Sequence, residues 1–186
     1  MNALLKAAKE VSDFMAAQNW PHCLIGGLAV AVWGEPRTTL DADFTLLVGW
    51  GEEKTFADQL LDAFNARIAD AGAFAESNRV LLLKASNGKD LDITFGALPF
   101  EEEMIRRAAP VEFAPGCMLP CCTAEDLFIL KAFAGRPQDL LDAESIAVRQ
   151  SAMNEDYILE HLKILCELKE SQEPLMNARN LLEKAP

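Results

Sequence analysis

With 186 residues and a hydrophobic share of 51%, the chain is long enough to bury one sizeable core, and its charged share of 25% is that of an ordinary folded protein. A formal net charge of −12 works against tight nucleic-acid binding, which draws most of its free energy from basic side chains that displace counterions. No apolar run approaches the roughly 20 residues that cross a bilayer, and residues 1–13 lack the continuous apolar stretch of a secretory signal; both absences point to a cytoplasmic chain without a membrane partner.

In chain order, Leu4, Leu5, Ala8, Val11, Phe14 and Met15 recur at helical spacing and predict an amphipathic helix over residues 2–18. Cys23-Leu24-Ile25 is a short apolar strand that ends at Gly26-Gly27. The apolar run Leu28 to Trp33 then predicts a buried helix closed by Gly34 and Pro36. A second strand is expected from Asp41 to Val48, followed by a helix from about Lys54 to Ala71 whose start is marked by Glu52 and Glu53. Arg79 to Ala85 and Leu91 to Phe95 read as two antiparallel strands, joined by the turn Ser86-Asn87-Gly88-Lys89. A short helix over Glu101 to Ala108 and an extended stretch from Val111 to Leu119, interrupted at Pro115-Gly116, lead to Thr123, which has the character of an N-cap. Helices are expected near 124–134, 138–150, 154–169 and 173–184. Strands first and helices later predict an α+β core over residues 1–122 with a helical part, 123–186, packed on it.

The chemistry is concentrated in a few polar residues on apolar elements. A glycine pair at a strand-to-helix junction lets backbone amides approach phosphates. On a strand, Asp41 and Asp43 project from one face, about 6.5 Å apart at Cα, and can reach a common metal. Magnesium takes oxygen ligands and usually keeps only one or two carboxylates beside substrate phosphates, which suits such a pair. Asp92 interrupts the apolar strand Leu91 to Phe95, and a carboxylate there calls for a partner. If the two strands are neighbours, Asp41, Asp43 and Asp92 converge, with Asp92 as a third ligand or as the base for an acceptor hydroxyl. Asp90, on the same face as Asp92, competes for that role. Arg37 can neutralise phosphate or clamp the strand by pairing with Asp43. Asp139 and Asp142 share one helix face, either as favourable charges in a first turn or as part of a site. The five cysteines are odd in number and predict no disulfide framework, and the cluster Cys117, Cys121 and Cys122 has neither a paired C-x-x-C nor a nearby histidine, so it predicts small apolar fillers and not zinc.

The order Gly26-Gly27, then Asp41-Ala42-Asp43, then an isolated strand Asp92 resembles the nucleotidyltransferase superfamily that includes DNA polymerase beta, the aminoglycoside nucleotidyltransferases and the AbiEii-type toxins. The AbiEii-like branch is the nearer likeness. It is carried by Gly34-x-x-Arg37-x-Thr39-x-Asp41-x-Asp43 and by the block Glu125-Asp126-Leu127-Phe128-Ile129-Leu130-Lys131-x-x-Ala134-Gly135-Arg136-Pro137-x-Asp139-x-x-Asp142. The resemblance implies a mixed central sheet flanked by helices and a Mg2+-dependent transfer of a nucleoside monophosphate from a nucleoside triphosphate to an acceptor hydroxyl. It implies Asp41, Asp43 and Asp92 as catalytic and metal-binding residues, and Gly26, Gly27, Arg37, Thr39, Lys131 and Arg136 as the nucleotide-binding set. Two other functions fit the same residues: a toxin that modifies tRNA or protein and is paired with an antitoxin, and a catalytically silent nucleotide-binding module.

Overall fold

A computed structural model describes residues 1–184; the last two positions of the expected helical part lie outside them. The chain divides into two compact units. One comprises residues 1–28 and 38–122, the other residues 29–37 and 123–186.

The first unit holds a mixed sheet of seven strands in the order β3-β4-β5-β2-β1-β7-β6. The strands are β1 (His22–Ile25), β2 (Asp41–Leu47), β3 (Asn65–Ala66), β4 (Val80–Lys84), β5 (Asp90–Gly96), β6 (Ala109–Ala114) and β7 (Cys117–Cys121). Its helices are α1 (Ala3–Ala17), α3 (Glu53–Ala63), α4 (Ala71–Asn78) and α5 (Pro99–Arg107). The central strand β2 lies antiparallel to β1 and parallel to β5. Its period-2 alternation divides two kinds of chemistry. Ala42, Phe44 and Leu46 are buried in one hydrophobic core with Leu81, Leu83, Leu91, Ile93 and Phe95, and with Val11 and Met15 of α1. Asp41 and Asp43 occupy the opposite face of the same strand. The apolar side chains buried on one face therefore fix the register that presents carboxylates on the other.

The helix expected to run to Ala71 is shorter, and this corrects the sequence reading. Helix α3 stops at Ala63, Phe64 is extended (φ −128°, ψ 148°), and Asn65–Ala66 form edge strand β3 against Lys84 and Leu83. A separate helix, α4, follows and ends at Arg79, which takes a left-handed conformation (φ 55°) instead of starting β4. The Arg79 side chain donates to the carbonyls of Gly49 (2.7 Å) and Phe95 (2.9 Å) and pairs with Glu53, which offsets the cost of that conformation. The stretch Val111 to Leu119 is two antiparallel strands, β6 and β7, folded back at Pro115-Gly116.

Helix α2 (Gly26–Trp33) starts in the first unit and continues into the second. The second unit also contains α6 (Ala124–Ala134), α7 (Pro137–Arg149), α8 (Glu155–Lys169) and α9 (Glu173–Leu182). Thr123 caps α6, its side chain accepting from the Asp126 amide, and Gly135 ends that helix in the left-handed region (φ 69°). All five cysteines are buried, and no disulfide joins them. No helix among the described residues is long and apolar enough to cross a membrane.

Candidate active site

The register of the sheet builds two adjacent rows across its polar face. In one, Lys84 of β4 faces Asp90 of β5, which faces Asp41 of β2. In the other, Leu82 faces Asp92, Asp92 faces Asp43, and Asp43 faces Ile25 of β1. Parallel pairing of β2 with β5 thus sets Asp41 beside Asp90 and Asp43 beside Asp92. Asp41, Asp43 and Asp92 each offer a carboxylate oxygen, and these oxygens all lie within 4.8 Å of one another. The expected convergence of the three carboxylates is present.

Each carboxylate has a different environment. Thr39 Oγ1 donates to Asp41 Oδ1 at 3.0 Å, which orients that carboxylate from the approach to the strand. Asp92 lies 2.8 Å from Arg67 Nη1, close enough for an ion pair but without hydrogen-bond alignment, so its buried Oδ1 has no hydrogen-bond partner. Burial pushes the Asp92 carboxyl above the usual range; Arg67 pulls it back, and the charges of Asp41 and Asp90 add to the rise. Asp90 goes the other way, because the Lys84 ammonium hydrogen-bonds it at 2.7 Å and holds its proton affinity down. Asp90 is therefore tied up by Lys84, and it is Asp92 that joins the cluster.

The glycine pair has a steric reason. At Gly26 (φ 66°) a Cβ would run into the Asp43 carboxylate, and at Gly27 it would stand 2.5 Å from Thr39 Oγ1. Both glycines keep the start of α2 close to the carboxylate strand.

The remaining expected nucleotide contacts sit in the second unit. Arg37 makes a two-pronged pair with Asp142, Nε to Oδ1 at 2.7 Å and Nη2 to Oδ2 at 2.8 Å. Lys131 is buried, with Nζ 2.9 Å from both Asp139 Oδ1 and Asp142 Oδ2. Arg136, whose side chain is 77% exposed, pairs with Asp139. Gln138 Nε2 donates to Asp142 Oδ1 at 3.0 Å. Burial pushes the Asp142 carboxyl up, but hydrogen bonds from Arg37, Lys131 and Gln138 outweigh it and hold it at about 2; Asp139 is likewise held low against its burial by Arg136 and Lys131. Asp139 and Asp142 are thus the partners of three cations expected to meet phosphate. The same face of α7 also secures the segment before Arg37. Ser145 Oγ accepts from the Glu35 amide at 3.1 Å, and a Cβ on Gly34 would stand 2.5 Å from that hydroxyl oxygen.

Arg67 is the residue that sequence reasoning missed, because it falls inside the stretch expected to be helical. No local signal marks the break, because Leu60, Phe64 and Ile68 keep a helical spacing past the end of α3.

A family model described as "Nucleotidyl transferase AbiEii toxin, Type IV TA system" matches residues 14–163. The chain belongs to the AbiEii family. Its members are nucleotidyltransferases, and this AbiEii chain is accordingly a transferase of the toxin–antitoxin class. Among curated proteins, none matches it. Two solved structures share the fold. An antigenic nucleotidyltransferase-like protein from Paracoccidioides brasiliensis is 13% identical, with 97% of this chain and 88% of that chain covered and a TM-score of 0.52. A lincosamide antibiotic adenylyltransferase, LnuA, solved with lincomycin bound, is 14% identical, with 76% of this chain and 94% of that chain covered and a TM-score of 0.51. Both likenesses place the AbiEii chain in the nucleotidyltransferase fold.

Proposed function

We propose that this AbiEii chain is a Mg2+-dependent nucleotidyltransferase that moves a nucleoside monophosphate from a nucleoside triphosphate to an acceptor hydroxyl. The observation that carries the reading is the set of Asp41, Asp43 and Asp92 oxygens within 4.8 Å of one another. The donor set fits magnesium: three hard oxygens, on strands made rigid by a buried core, one of them a carboxylate whose buried Oδ1 lacks a hydrogen-bond partner. Asp41 and Asp43 would hold the ion, with Asp92 either as third ligand or as the base for the acceptor hydroxyl. Bound there, magnesium supplies positive charge to the triphosphate and to the oxygens on which charge develops.

The other contributions belong to the chain's own groups. The amides of Gly26 and Gly27, at the start of α2, would donate to phosphate. Thr39 keeps Asp41 in one orientation. Asp92, its proton affinity raised mainly by burial, is suited to take the proton from the acceptor hydroxyl as that oxygen attacks the α-phosphorus and pyrophosphate leaves. Lys131 and Arg136 balance the charge of Asp139 within the second unit. The family description favours a toxin-type reading with an antitoxin as regulatory partner, and for such a toxin tRNA or a protein is the acceptor to test. The net charge of −12 favours a protein or small-molecule acceptor over a long nucleic-acid contact.

The test is a titration of the purified chain with each of the four ribonucleoside triphosphates, with and without magnesium, read by thermal stability and by pyrophosphate release with candidate acceptors. Magnesium-dependent stabilisation by a nucleotide, absent in Asp41→Ala, is the expected result. Stabilisation that is the same without magnesium, or that survives Asp41→Ala, overturns the metal assignment. Nucleotide binding without transfer to any acceptor turns the reading toward the silent module.

A further inference from the structure

The two rows of the sheet face contain more charge than the acidic trio uses. Asp41, Asp43, Asp90 and Asp92 form a block two residues wide on neighbouring strands, and Lys84 and Arg67 flank it on the β4 and β3 side. Arg67 arrives there because α3 ends early. The chain turns into β3, the Arg67 amide donates to the Leu82 carbonyl at 2.9 Å, and its side chain reaches over Leu82 to Asp92 (2.8 Å) and Asp90 (3.4 Å). Four carboxylates against two fixed cations leave a formal charge of −2 on these rows, which one divalent ion would cancel.

The contact of Arg67 with Asp92 has a particular character. It is short enough for an ion pair, yet Asp92 Oδ1 receives no aligned hydrogen bond. A guanidinium that acts as a clamp makes paired, directional N–H bonds, as Arg37 does with Asp142. Arg67 instead contributes mainly its charge, at about one-fifth side-chain exposure, where screening by water is incomplete. A fixed positive charge beside a metal-facing carboxylate repels an incoming dication and shares the same anion with it.

From this geometry we propose that Arg67 is a built-in counter-cation for Asp92, which keeps the affinity of the acidic cluster for a free divalent ion low, so that the ion is taken up together with the triphosphate. The inference rests on the reading of Asp41, Asp43 and Asp92 as the cation site. Arg67 is a positioning residue in this scheme and touches no substrate. Its effect is read in metal binding without nucleotide, independent of turnover.

The experiment is a titration of the nucleotide-free full chain with Mn2+, following free ion by electron paramagnetic resonance. Arg67→Gln and Arg67→Met, the second keeping the apolar stem, are expected to bind Mn2+ about tenfold more tightly than wild type, as the loss of one nearby like charge predicts. Arg67→Lys, which keeps the charge and loses the fork, is expected to stay within about twofold of wild type. Lys84→Gln, which removes a cation that touches Asp90 alone, is expected to give a smaller gain than either neutral Arg67 variant. Addition of Asp92→Ala to Arg67→Gln should cancel the gain. Unchanged or weaker Mn2+ binding in both neutral variants overturns the proposal, as does an Arg67→Lys variant that matches them, since the role would then be geometric. Wild-type chain that binds Mn2+ with nucleotide, beside neutral variants that gain nothing, refutes Arg67 alone. Absence of Mn2+ binding in every variant, with or without nucleotide, removes the cation site and this inference together.

Discussion

The two units each concentrate aspartates, and they treat them in opposite ways. In the second unit, Asp139 and Asp142 are almost completely buried, and Arg37, Lys131, Arg136 and Gln138 meet their oxygens. In the first, Asp41, Asp43 and Asp92 crowd their oxygens within 4.8 Å, and Asp92 keeps one buried oxygen without a hydrogen bond. The same residue type is thus a finished internal ion network in one place and an unfinished one in the other. A finished network contributes to folding, whereas an unfinished one keeps like charges together for something that arrives later. The contrast also bears on how a family motif is read: Arg37, Lys131 and Arg136 were expected at phosphates, and their nearest anions are the chain's own aspartates.

The largest separation between the clusters should appear when one member of each is removed. Asp43→Ala is expected to lower nucleotidyl transfer by about a thousandfold or more, in line with the loss of a charge-stabilising group, while its melting temperature stays close to that of wild type because the apolar core lies on the opposite face of β2. Asp142→Ala should do the reverse to the fold. It leaves Lys131 buried and Arg37 without its two-pronged partner, and a loss of about 3 kcal/mol in urea unfolding is expected. A destabilised Asp43→Ala, or an Asp142→Ala as stable as wild type, would erase the distinction.

Acid sharpens the comparison because the clusters carry opposite signs. The Asp142 carboxyl is held at about 2, below the roughly 3.9 of an unfolded aspartate, so between those values the unfolded chain binds the extra proton. Its stabilising contribution is full above about pH 5 and is lost progressively toward about pH 1, by about 3 kcal/mol in all. Asp92 is shifted upward, so the folded chain takes up its proton first; that contribution is present at low pH and is lost as pH rises through the raised value. Urea unfolding at a series of pH values should therefore show an acid-side drop in wild type that is flatter in Asp142→Asn and steeper in Asp92→Asn.

How much of this was legible in the sequence depended on whether a signal was local. The polar face of β2 follows from alternation alone, since Ala42, Phe44 and Leu46 can be buried only if Asp41 and Asp43 point away. Thr123 and Gly135 marked the ends of α6 by capping chemistry. The approach of Asp92 to that pair needed the parallel pairing of β2 with β5, which no local pattern specifies; the resemblance supplied only that the two strands are neighbours. The end of α3 was not legible, because Phe64, Asn65 and Ala66 suit a helix as well as an edge strand until Lys84 and Leu83 offer backbone partners. Arg67 was lost with it. The pairing of Arg37 with Asp142 joins positions more than a hundred residues apart and follows from helix packing that charge patterns do not encode.

The smallest expected effect concerns Thr39, which stands between the two roles compared above. Its hydroxyl donates to Asp41 Oδ1 at 3.0 Å, and its Oγ1 is what a Cβ on Gly27 would meet. Thr39→Val keeps the shape beside Gly27 and removes only the donor, so the packing at the start of α2 is preserved. Asp41 stays charged and in place but loses the bond that fixes its rotamer. A drop in transfer of about fivefold is expected, about 1 kcal/mol, the usual net worth of a single hydrogen bond. The loss should be recovered in Thr39→Ser, which restores the hydroxyl. If Thr39→Ser is as impaired as Thr39→Val, the methyl against Gly27 matters more than the hydroxyl on Asp41, and Thr39 belongs to the packing of the glycine pair.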